Sequence, residues 1–244
     1  MKQIKPLRCM AIAAAVLSAC TLAIALSAIS YLGYRGSHPS PNPSGKGGAS
    51  TGGFPQIDWA YWAQVNPDVI GWITVPGTAV NHPIVQAPSQ DPDFYLTHDV
   101  YGEANFTGCP YLDAGCTEAG GLLRCPNSVI YGHNMGWSQE MFGDLARYAD
   151  KSWGKEHREV LLQTPDVHLR LEVQALAIVP GWDAVRRVEF TDDGDFACWW
   201  NARFEESDVW YEPNPLASRN LVTLCTCSYS RWENERTLVY CMAA

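Results

Sequence analysis

The sequence predicts a mainly β protein, a closed β-barrel with peripheral α-helices, preceded by one N-terminal transmembrane helix. Two observations predict the barrel: many short runs are rich in β-branched and aromatic residues, and short helical segments are inserted between them. A third observation, a long uncharged run close to the N terminus, predicts the membrane helix. The 244 residues are therefore expected to form a membrane-proximal part and one domain with a real core.

The N terminus carries the membrane signal. Residues 1–8 contain three basic side chains, and no charged residue then occurs from 9 to 34. A bilayer-spanning helix needs about 20 apolar residues, so this run is long enough to be a signal anchor. The basic flank predicts that residues 1–8 form a cytoplasmic tail. Small residues at 27–30 leave a cleaved signal peptide as the alternative, although the apolar run continues past them.

Residues 35–53 are mainly Ser, Pro and Gly, which predicts a flexible linker that holds the domain at 54–244 off the membrane, outside the cell. All 26 acidic residues of the chain lie in that domain, against 12 of the 17 basic ones, so its net charge is −14. Nucleic-acid binding needs clustered Lys and Arg to contact phosphates. The domain is therefore a poor candidate for a nucleic-acid partner.

The first elements of the domain follow from periodicity and turn residues. Ile57–Val65 places its tryptophans on one helical face and stops at an Asn-Pro pair, which predicts a short amphipathic helix. Gly71–Val75 and Ala79–Gln86 are β-rich runs joined by Pro-Gly-Thr, which predicts a hairpin-like pair. Asn127–Tyr131 is a short apolar strand that breaks at Gly132.

The later elements alternate between helix and strand. Ser138–Tyr148 has apolar residues at helical spacing and Ser138 as an N-cap. Val167–Val173 alternates apolar and polar residues, which predicts a strand whose valines and leucines, Val167 included, face inwards. A helix is expected at Asp195–Phe204, followed by strands at Asn220–Cys227 and Arg236–Cys241.

Cysteine usage points to a thiol site and not to a metal. Seven cysteines follow the membrane segment, and an odd number leaves at least one thiol unpaired within a monomer. Cys116 and Cys125 bracket a Gly-rich loop and are the pair predicted to form a disulfide. The spacing Cys225-x-Cys227 is too short for the usual zinc pair, so no metal site is expected.

Cys227 is the candidate nucleophile. In a strand it shares one face with Thr223 and Cys225, and it lies nearest the strand end, where a side chain can reach a cleft. A buried cysteine is more often an inert apolar residue or half of a disulfide, which remains the alternative for any single cysteine. The position of Cys227 favours the functional interpretation.

A histidine and an arginine can complete such a site. His133 follows a strand and a glycine, on a loop held by rigid structure, and its main competitor is His98 near another loop. Arg236 opens the last strand, beside the end of the Cys227 strand, whereas Arg231 lies in a polar turn typical of a solvated charge. Arginine is always protonated, so its role is to donate hydrogen bonds and not to act as a base.

Taken together, the motifs resemble the class B sortases, in order and in approximate spacing, from about residue 57 to 241. The matched segments are Asn66-Pro67-Asp68-Val69-Ile70-Gly71-Trp72-Ile73, Pro76-Gly77-Thr78, Pro83-Ile84-Val85-Gln86, Tyr95-Leu96-Thr97-His98-Asp99, Tyr131-Gly132-His133-Asn134-Met135, Met141-Phe142-Gly143-Asp144-Leu145 and Thr223-Leu224-Cys225-Thr226-Cys227 with Arg236 downstream. The resemblance implies a sortase-type barrel with an N-terminal helical piece and a helix before the catalytic strand.

The resemblance also implies the chemistry. Cys227 would attack a peptide carbonyl in a C-terminal sorting motif of a secreted protein, His133 would protonate the leaving amine, and Arg236 would stabilise the oxyanion. The thioester would be resolved by an amine of a cell-wall precursor or a pilin lysine, without metal or organic cofactor. Thr97 and Ser228 are assigned to substrate binding on the same basis.

Two residues depart from the family pattern. Cys225 replaces a common serine, which raises the prospect of a disulfide with Cys241. Thr97 replaces a common asparagine and keeps a hydroxyl that can donate and accept. Two other interpretations stay open on the sequence: a papain-like or other cell-wall peptidase using the same thiol, and a non-catalytic, membrane-tethered binding module. The first usually places its cysteine at a helix N-terminus, which the β-rich run before Cys227 disfavours.

Overall fold

The computed structural model describes residues 52–136, 138–181, 186–211, 220–231 and 234–243. The predicted cytoplasmic tail at 1–8, the transmembrane helix at 9–34 and nearly all of the linker at 35–53 lie outside these ranges. Within them, no helix combines the length and the apolar composition that a membrane crossing requires.

Eight strands close into a barrel, as the sequence predicts. The order around the barrel is β5-β1-β2-β3-β4-β8-β9-β6, and β6 pairs back onto β5. The strands are β1 (Val69–Thr74), β2 (Asn81–Val85), β3 (Tyr111–Leu112), β4 (Asn127–Tyr131), β5 (Glu159–Gln163), β6 (His168–Pro180), β7 (Val209–Trp210), β8 (Leu221–Ser228) and β9 (Glu235–Ala243). The two-residue β7 pairs with β6 outside the closed ring. Only β2–β3 and β4–β8 are parallel among these pairs.

Short helices surround the barrel. They are α1 (Trp59–Val65), α2 (Ala114–Glu118), α3 (Lys151–Glu156), α4 (Asp193–Glu205) and two 3₁₀ helices, Phe94–Leu96 and Gly143–Ala149. Side-chain carboxylates of the preceding residue cap all four α-helices by accepting backbone N–H bonds in the first turn. The predicted helices before β1 and before the Cys227 strand are therefore both present.

Aromatic side chains join the helices to the barrel. The buried Trp62 of α1 lies 5.6 Å from Trp72 of β1, measured between ring centroids. The buried Trp200 of α4 meets Tyr240 of β9 edge to face at 5.5 Å. Buried aromatic pairs of this kind stabilise the fold by more than the burial of the apolar area of each ring alone. The second pair fixes α4 against β9, the strand that also carries Arg236.

The helix predicted at Ser138–Tyr148 is wrong in its start and its type. The Ser138 hydroxyl accepts a hydrogen bond from the Glu140 N–H 3.1 Å away and closes a local turn, and Met141 has a positive φ of 55°. A regular α-helix cannot continue through such a residue. The chain becomes helical only at Gly143, as a 3₁₀ helix. The apolar residues at i, i+3 spacing are still buried, because a 3₁₀ helix has three residues per turn.

The strand predicted at Val167–Val173 also differs. β6 begins at His168 and continues to Pro180, and Val167 is 43% exposed instead of inward-facing. The strand pairs with β5 through its first part and with β9 through most of its length. Residues 173–177 are buried in succession because both faces of the sheet are covered there, so the polar-apolar alternation ends.

Candidate active site

A cavity of about 600 Å³ opens beside the end of β8 and the start of β9. Cys227, His133 and Arg236 all line it. Its walls come from β4, β8, β9 and the 3₁₀ helix at Phe94–Leu96, so strands that are distant in sequence bring the three side chains to one place. The two competitors for these roles, His98 and Arg231, do not line this cavity.

Cys227 is held by strands on both sides. β8 runs parallel to β4 and antiparallel to β9, and Cys227 lies directly opposite Arg236. The Cys227 side chain is half-buried, whereas Cys225, two residues earlier on the same face, is only 5% exposed. Burial raises the pKa of the Cys225 thiol to about 12, although Arg236 acts in the opposite direction. Cys225 is therefore a neutral thiol at physiological pH, and Cys227 is the accessible one.

His133 lies on the loop that follows β4. Its Nε2 lies 2.8 Å from the carbonyl oxygen of Leu96, and its own carbonyl accepts a hydrogen bond from the Phe142 N–H at 2.8 Å. The imidazole is therefore held by a backbone acceptor at the end of a 3₁₀ helix, a position that fixes the ring orientation. Hydrogen bonding through Nε2 leaves Nδ1 as the other ring position for a proton.

Three hydrogen bonds join the histidine loop to the cysteine strand. The Asn134 side-chain amide donates to the Cys227 carbonyl at 3.0 Å, and the Thr226 hydroxyl donates to the Gly132 carbonyl at 2.7 Å. The Gly132 N–H donates to the Cys225 carbonyl at 3.1 Å. The sequence neighbours of the catalytic candidates thus set the relative position of loop and strand.

Gly108 packs against the histidine from the other side. Its φ is +60°, and a Cβ atom there would lie 2.6 Å from the Tyr95 carbonyl oxygen and 3.1 Å from Cδ2 of His133. Only glycine fits, because a side chain would meet backbone on one side and the imidazole on the other. The close approach of this backbone is part of what holds His133 in place.

Arg236 points its guanidinium into the same cavity. Nη1 donates to the Asn234 side-chain oxygen at 2.9 Å and to the Glu235 carbonyl at 3.0 Å. Within the part of the chain that the structure describes, Nε and Nη2 bond no protein acceptor. They are free to donate to a substrate oxygen. Arg231 instead pairs with Asp208 at 2.6 Å, away from the cavity.

Sequence reasoning did not anticipate a polar cluster in the cavity wall. Arg186 pairs with the buried Asp113 at 2.8 Å and also donates to the Tyr131 hydroxyl at 3.2 Å. The Tyr131 hydroxyl itself donates to Asp113 at 2.8 Å, and burial together with this carboxylate raises the pKa of Tyr131. Tyr131 was part of a matched motif, but nothing in the local sequence around Arg186 marks it as a cavity residue.

The two predicted substrate-binding residues lie outside the cavity. Thr97 is exposed, and its hydroxyl lies 3.2 Å from Nδ1 of the neighbouring His98. His98 stacks on Phe94 at 3.9 Å between ring centroids. Ser228 is buried on the opposite face of β8 from Cys227, where it lines a second cleft, and within the described residues its hydroxyl has no hydrogen-bond partner.

The disulfide between Cys225 and Cys241 that the sequence leaves open is not formed in the structure. On β8 and β9, Cys225 is opposite Leu238, and Cys241 is opposite Val222. Because successive side chains alternate between the two faces of a strand, the Cys225 and Cys241 side chains lie on opposite faces of the sheet. All seven cysteines of the described domain are free thiols, including Cys116 and Cys125, so the predicted bridge between this last pair is absent from the structure.

The chain matches no family model. It is 27% identical over 177 residues to sortase B of Listeria monocytogenes serovar 1/2a, covering 72% of this chain and 70% of that protein. It is 25% identical over 176 residues to sortase B of Staphylococcus aureus, with the same coverage of both chains.

Solved structures agree with the sequence relatives. The sortase B structure of Clostridium perfringens has a TM-score of 0.67 and 25% identity, covering 75% of this chain and 97% of that one. Two further sortase B structures at 23% identity share the fold. One is a Staphylococcus aureus substrate complex (TM-score 0.65, covering 76% of this chain and 85% of that one), and the other is a complex with triglycine (TM-score 0.64, covering 75% of this chain and 83% of that one).

An accessible thiol, an oriented imidazole and a free guanidinium edge in one cavity of a closed β-barrel define a cysteine transpeptidase. The chain is similar in sequence to the sortase B proteins of Listeria and Staphylococcus, and in fold to the sortase B of Clostridium.

Proposed function

We propose that this protein is a class B sortase, an extracytoplasmic enzyme that cleaves a C-terminal sorting motif of secreted proteins and transfers the acyl group to an amine. One observation carries the proposal: Cys227, His133 and Arg236 line one cavity, and Cys227 is the accessible thiol of the adjacent pair. The Staphylococcus sortase B solved with its substrate supports a peptide as the acyl donor. The sortase B solved with triglycine supports a peptide amine as the acceptor.

In the first half-reaction the Cys227 thiolate attacks the scissile carbonyl carbon, and the carbonyl oxygen becomes an oxyanion. Arg236 stabilises that oxyanion through Nε and Nη2, the two nitrogens that its contacts with Asn234 and Glu235 leave free. His133, held at Nε2 by Leu96, gives the Nδ1 proton to the departing nitrogen. The carbon–nitrogen bond breaks, and an acyl thioester on Cys227 remains.

In the second half-reaction an acceptor amine attacks the thioester. His133 takes the proton that the amine loses, the new amide bond forms, and the Cys227 thiolate leaves. The thioester conserves the energy of the cleaved amide, so transfer to an amine needs no cofactor. The acceptor is an amine of a cell-wall precursor, with a pilin lysine as the second candidate.

The end of the cavity that Arg186 occupies is suited to recognise the polar part of a sorting motif. Arg186 is 61% exposed along its side chain, and the buried carboxylate of Asp113 holds one edge of its guanidinium. Substrate binding by Thr97 and Ser228 stays a prediction. Both would act from outside the cavity, Thr97 at its rim and Ser228 from behind the catalytic strand.

The experiment is a ligation assay with the full-length protein. A sorting-motif peptide and triglycine are incubated with it, and the products are separated and weighed by mass spectrometry. We expect a ligated peptide that requires both the amine and Cys227, with Cys227→Ala as the matched inactive protein. A cleaved peptide that never gains triglycine would make the protein a thiol peptidase, and no cleavage with any sorting motif would support a binding module.

A further inference from the structure

Cys116 and Cys125 form a thiol pair that the transpeptidase mechanism does not use. Their sulfur atoms each lie 3.4 Å from the same acceptor, the carbonyl oxygen of Asn127. Both side chains are at most 1% exposed. The loop between them contains two glycines at positive φ, which let the chain fold back tightly.

From this geometry we infer that Cys116 and Cys125 are a disulfide-forming pair, which an external disulfide oxidises to a single bridge. The bridge joins α2 to the segment just before β4 and closes the glycine loop. The inference goes beyond the proposed transpeptidation, and it draws on the proposed extracytoplasmic location only for the source of the oxidant.

The step balances as a thiol–disulfide exchange. When the glycine loop opens locally and exposes the pair, the Cys125 thiolate attacks an external disulfide such as oxidised glutathione and releases one glutathione thiolate. Cys116 then loses its proton and displaces the second glutathione, so that the Sγ–Sγ bond forms. In sum, the two protein thiols lose two protons and two electrons, and the external disulfide is reduced to two thiols.

The thiol pair is poised for this exchange. The neighbouring Cys116 thiol lowers the pKa of Cys125, while the neighbouring Cys125 thiol and burial raise the pKa of Cys116. The Ser128 hydroxyl, 3.3 Å from the Cys125 sulfur, supports the charged form as well. Cys125 therefore provides the attacking sulfur, and Cys116 provides the resolving sulfur.

The pair stands behind the wall of the active-site cavity. The N-cap of α2, the helix that carries Cys116, is Asp113, the carboxylate that holds Arg186 and the Tyr131 hydroxyl. The side chain of Asn127 accepts from the Thr223 hydroxyl on the catalytic strand at 2.7 Å. A disulfide here would link two segments that support the cavity wall. It would not change the reacting groups themselves.

Peptide mapping tests the inference on the full-length protein. The protein is reduced, transferred into oxidised glutathione, denatured, alkylated with iodoacetamide and digested with trypsin, which cuts after Arg124, between the two cysteines. We expect the fragments on either side of Arg124 to stay joined until a reductant is added. The Cys109→Ser variant should keep the link, and the Cys116→Ser variant should lose it.

Thermal unfolding gives a second readout. Reductant should lower the melting temperature of the oxidised protein and of Cys109→Ser by about 5–10 °C, the scale for a bridge that closes a short loop. The double variant Cys116→Ser/Cys125→Ser should show no shift on reduction. Full alkylation of both cysteines before reduction, or a link that survives Cys116→Ser, would overturn the inference. Neither readout depends on transpeptidation, so its failure is separate from failure of the proposed function.

Discussion

At the scale of single residues, burial distinguishes two cysteines that the sequence places two positions apart. Both lie on the cavity face of β8, but only Cys227 reaches solvent, because Cys225 is covered and its thiol pKa is raised to about 12. The position of Cys227 at the strand end makes it the candidate nucleophile on the sequence alone. The energetic reason that excludes Cys225 is visible only after folding, because other segments of the chain cover it.

The first prediction concerns these thiols. Cys227→Ala should abolish thioester formation and ligation, because no other accessible thiol faces the cavity in the described domain. Cys225→Ser should keep most of the activity, since a neutral buried thiol is replaced by a hydroxyl of similar shape. Trapping of the acyl-enzyme by mass spectrometry checks both. An active Cys227→Ala protein together with an inactive Cys225→Ser protein would reverse the assignment.

The second prediction concerns the oxyanion donor. Arg236→Lys should lower kcat by about 10²–10³-fold, because lysine keeps the charge but loses the planar pair of donors. Arg231→Ala is the matched control, since that arginine pairs with Asp208 outside the cavity. Steady-state kinetics on both proteins decide the matter. An equal loss of kcat in the Arg231→Ala protein would mean that Arg231 in the turn, and not Arg236 on β9, donates to the oxyanion.

At the scale of elements, the strands were predictable and the cavity wall was not. β4 has the predicted bounds, and β8 and β9 pair as expected, because regular apolar runs and turn residues are local signals. The Ser138 segment became a 3₁₀ helix because local side-chain hydrogen bonding and a left-handed Met141 override helical spacing. The Arg186 cluster joins residues more than fifty positions apart, so no window of the sequence contains it.

The third prediction tests how the loop elements hold the histidine. Gly108→Ala should reduce kcat/KM by at least about tenfold, since the new Cβ would displace His133 or the backbone that orients it. Gly102→Ala is the control: Gly102 has a similar positive φ of +77°, but a Cβ there meets no atom within 4 Å. Both variants therefore share the backbone strain, and only the first has the contact. Equal kinetic effects would show that strain alone, and not the approach to His133, matters.

At the scale of the whole molecule, a basic segment, an uncharged run and a stretch rich in Ser, Pro and Gly precede the barrel in the sequence. This order predicts a single-pass membrane protein whose N terminus is cytoplasmic and whose active site is external. Such a topology brings a thiol transpeptidase to secreted proteins as they leave the membrane.

The fourth prediction is that the protein stays in the membrane at full length. External protease should release a fragment that begins within residues 35–53, because a Ser/Pro/Gly linker is the accessible segment. Its intact mass, with Cys227 alkylated without prior reduction, identifies both the cut and the free thiol. A mature protein beginning near Tyr31 would establish signal cleavage instead.

In the candidate active site, Cys227 and Arg236 are held more firmly by the fold than His133 is. Cys227 and Arg236 lie on strands paired to each other inside the closed barrel. His133 lies on a loop that is held by a few hydrogen bonds: the His133 ring bonds the Leu96 carbonyl, the Phe142 N–H donates to the His133 carbonyl, and the Asn134 amide donates to the Cys227 carbonyl. Local opening favours such loops over paired strands. In a urea titration, ligation should therefore cease at a concentration where the barrel's circular dichroism is still native. Coincident midpoints would show instead that the loop melts together with the barrel.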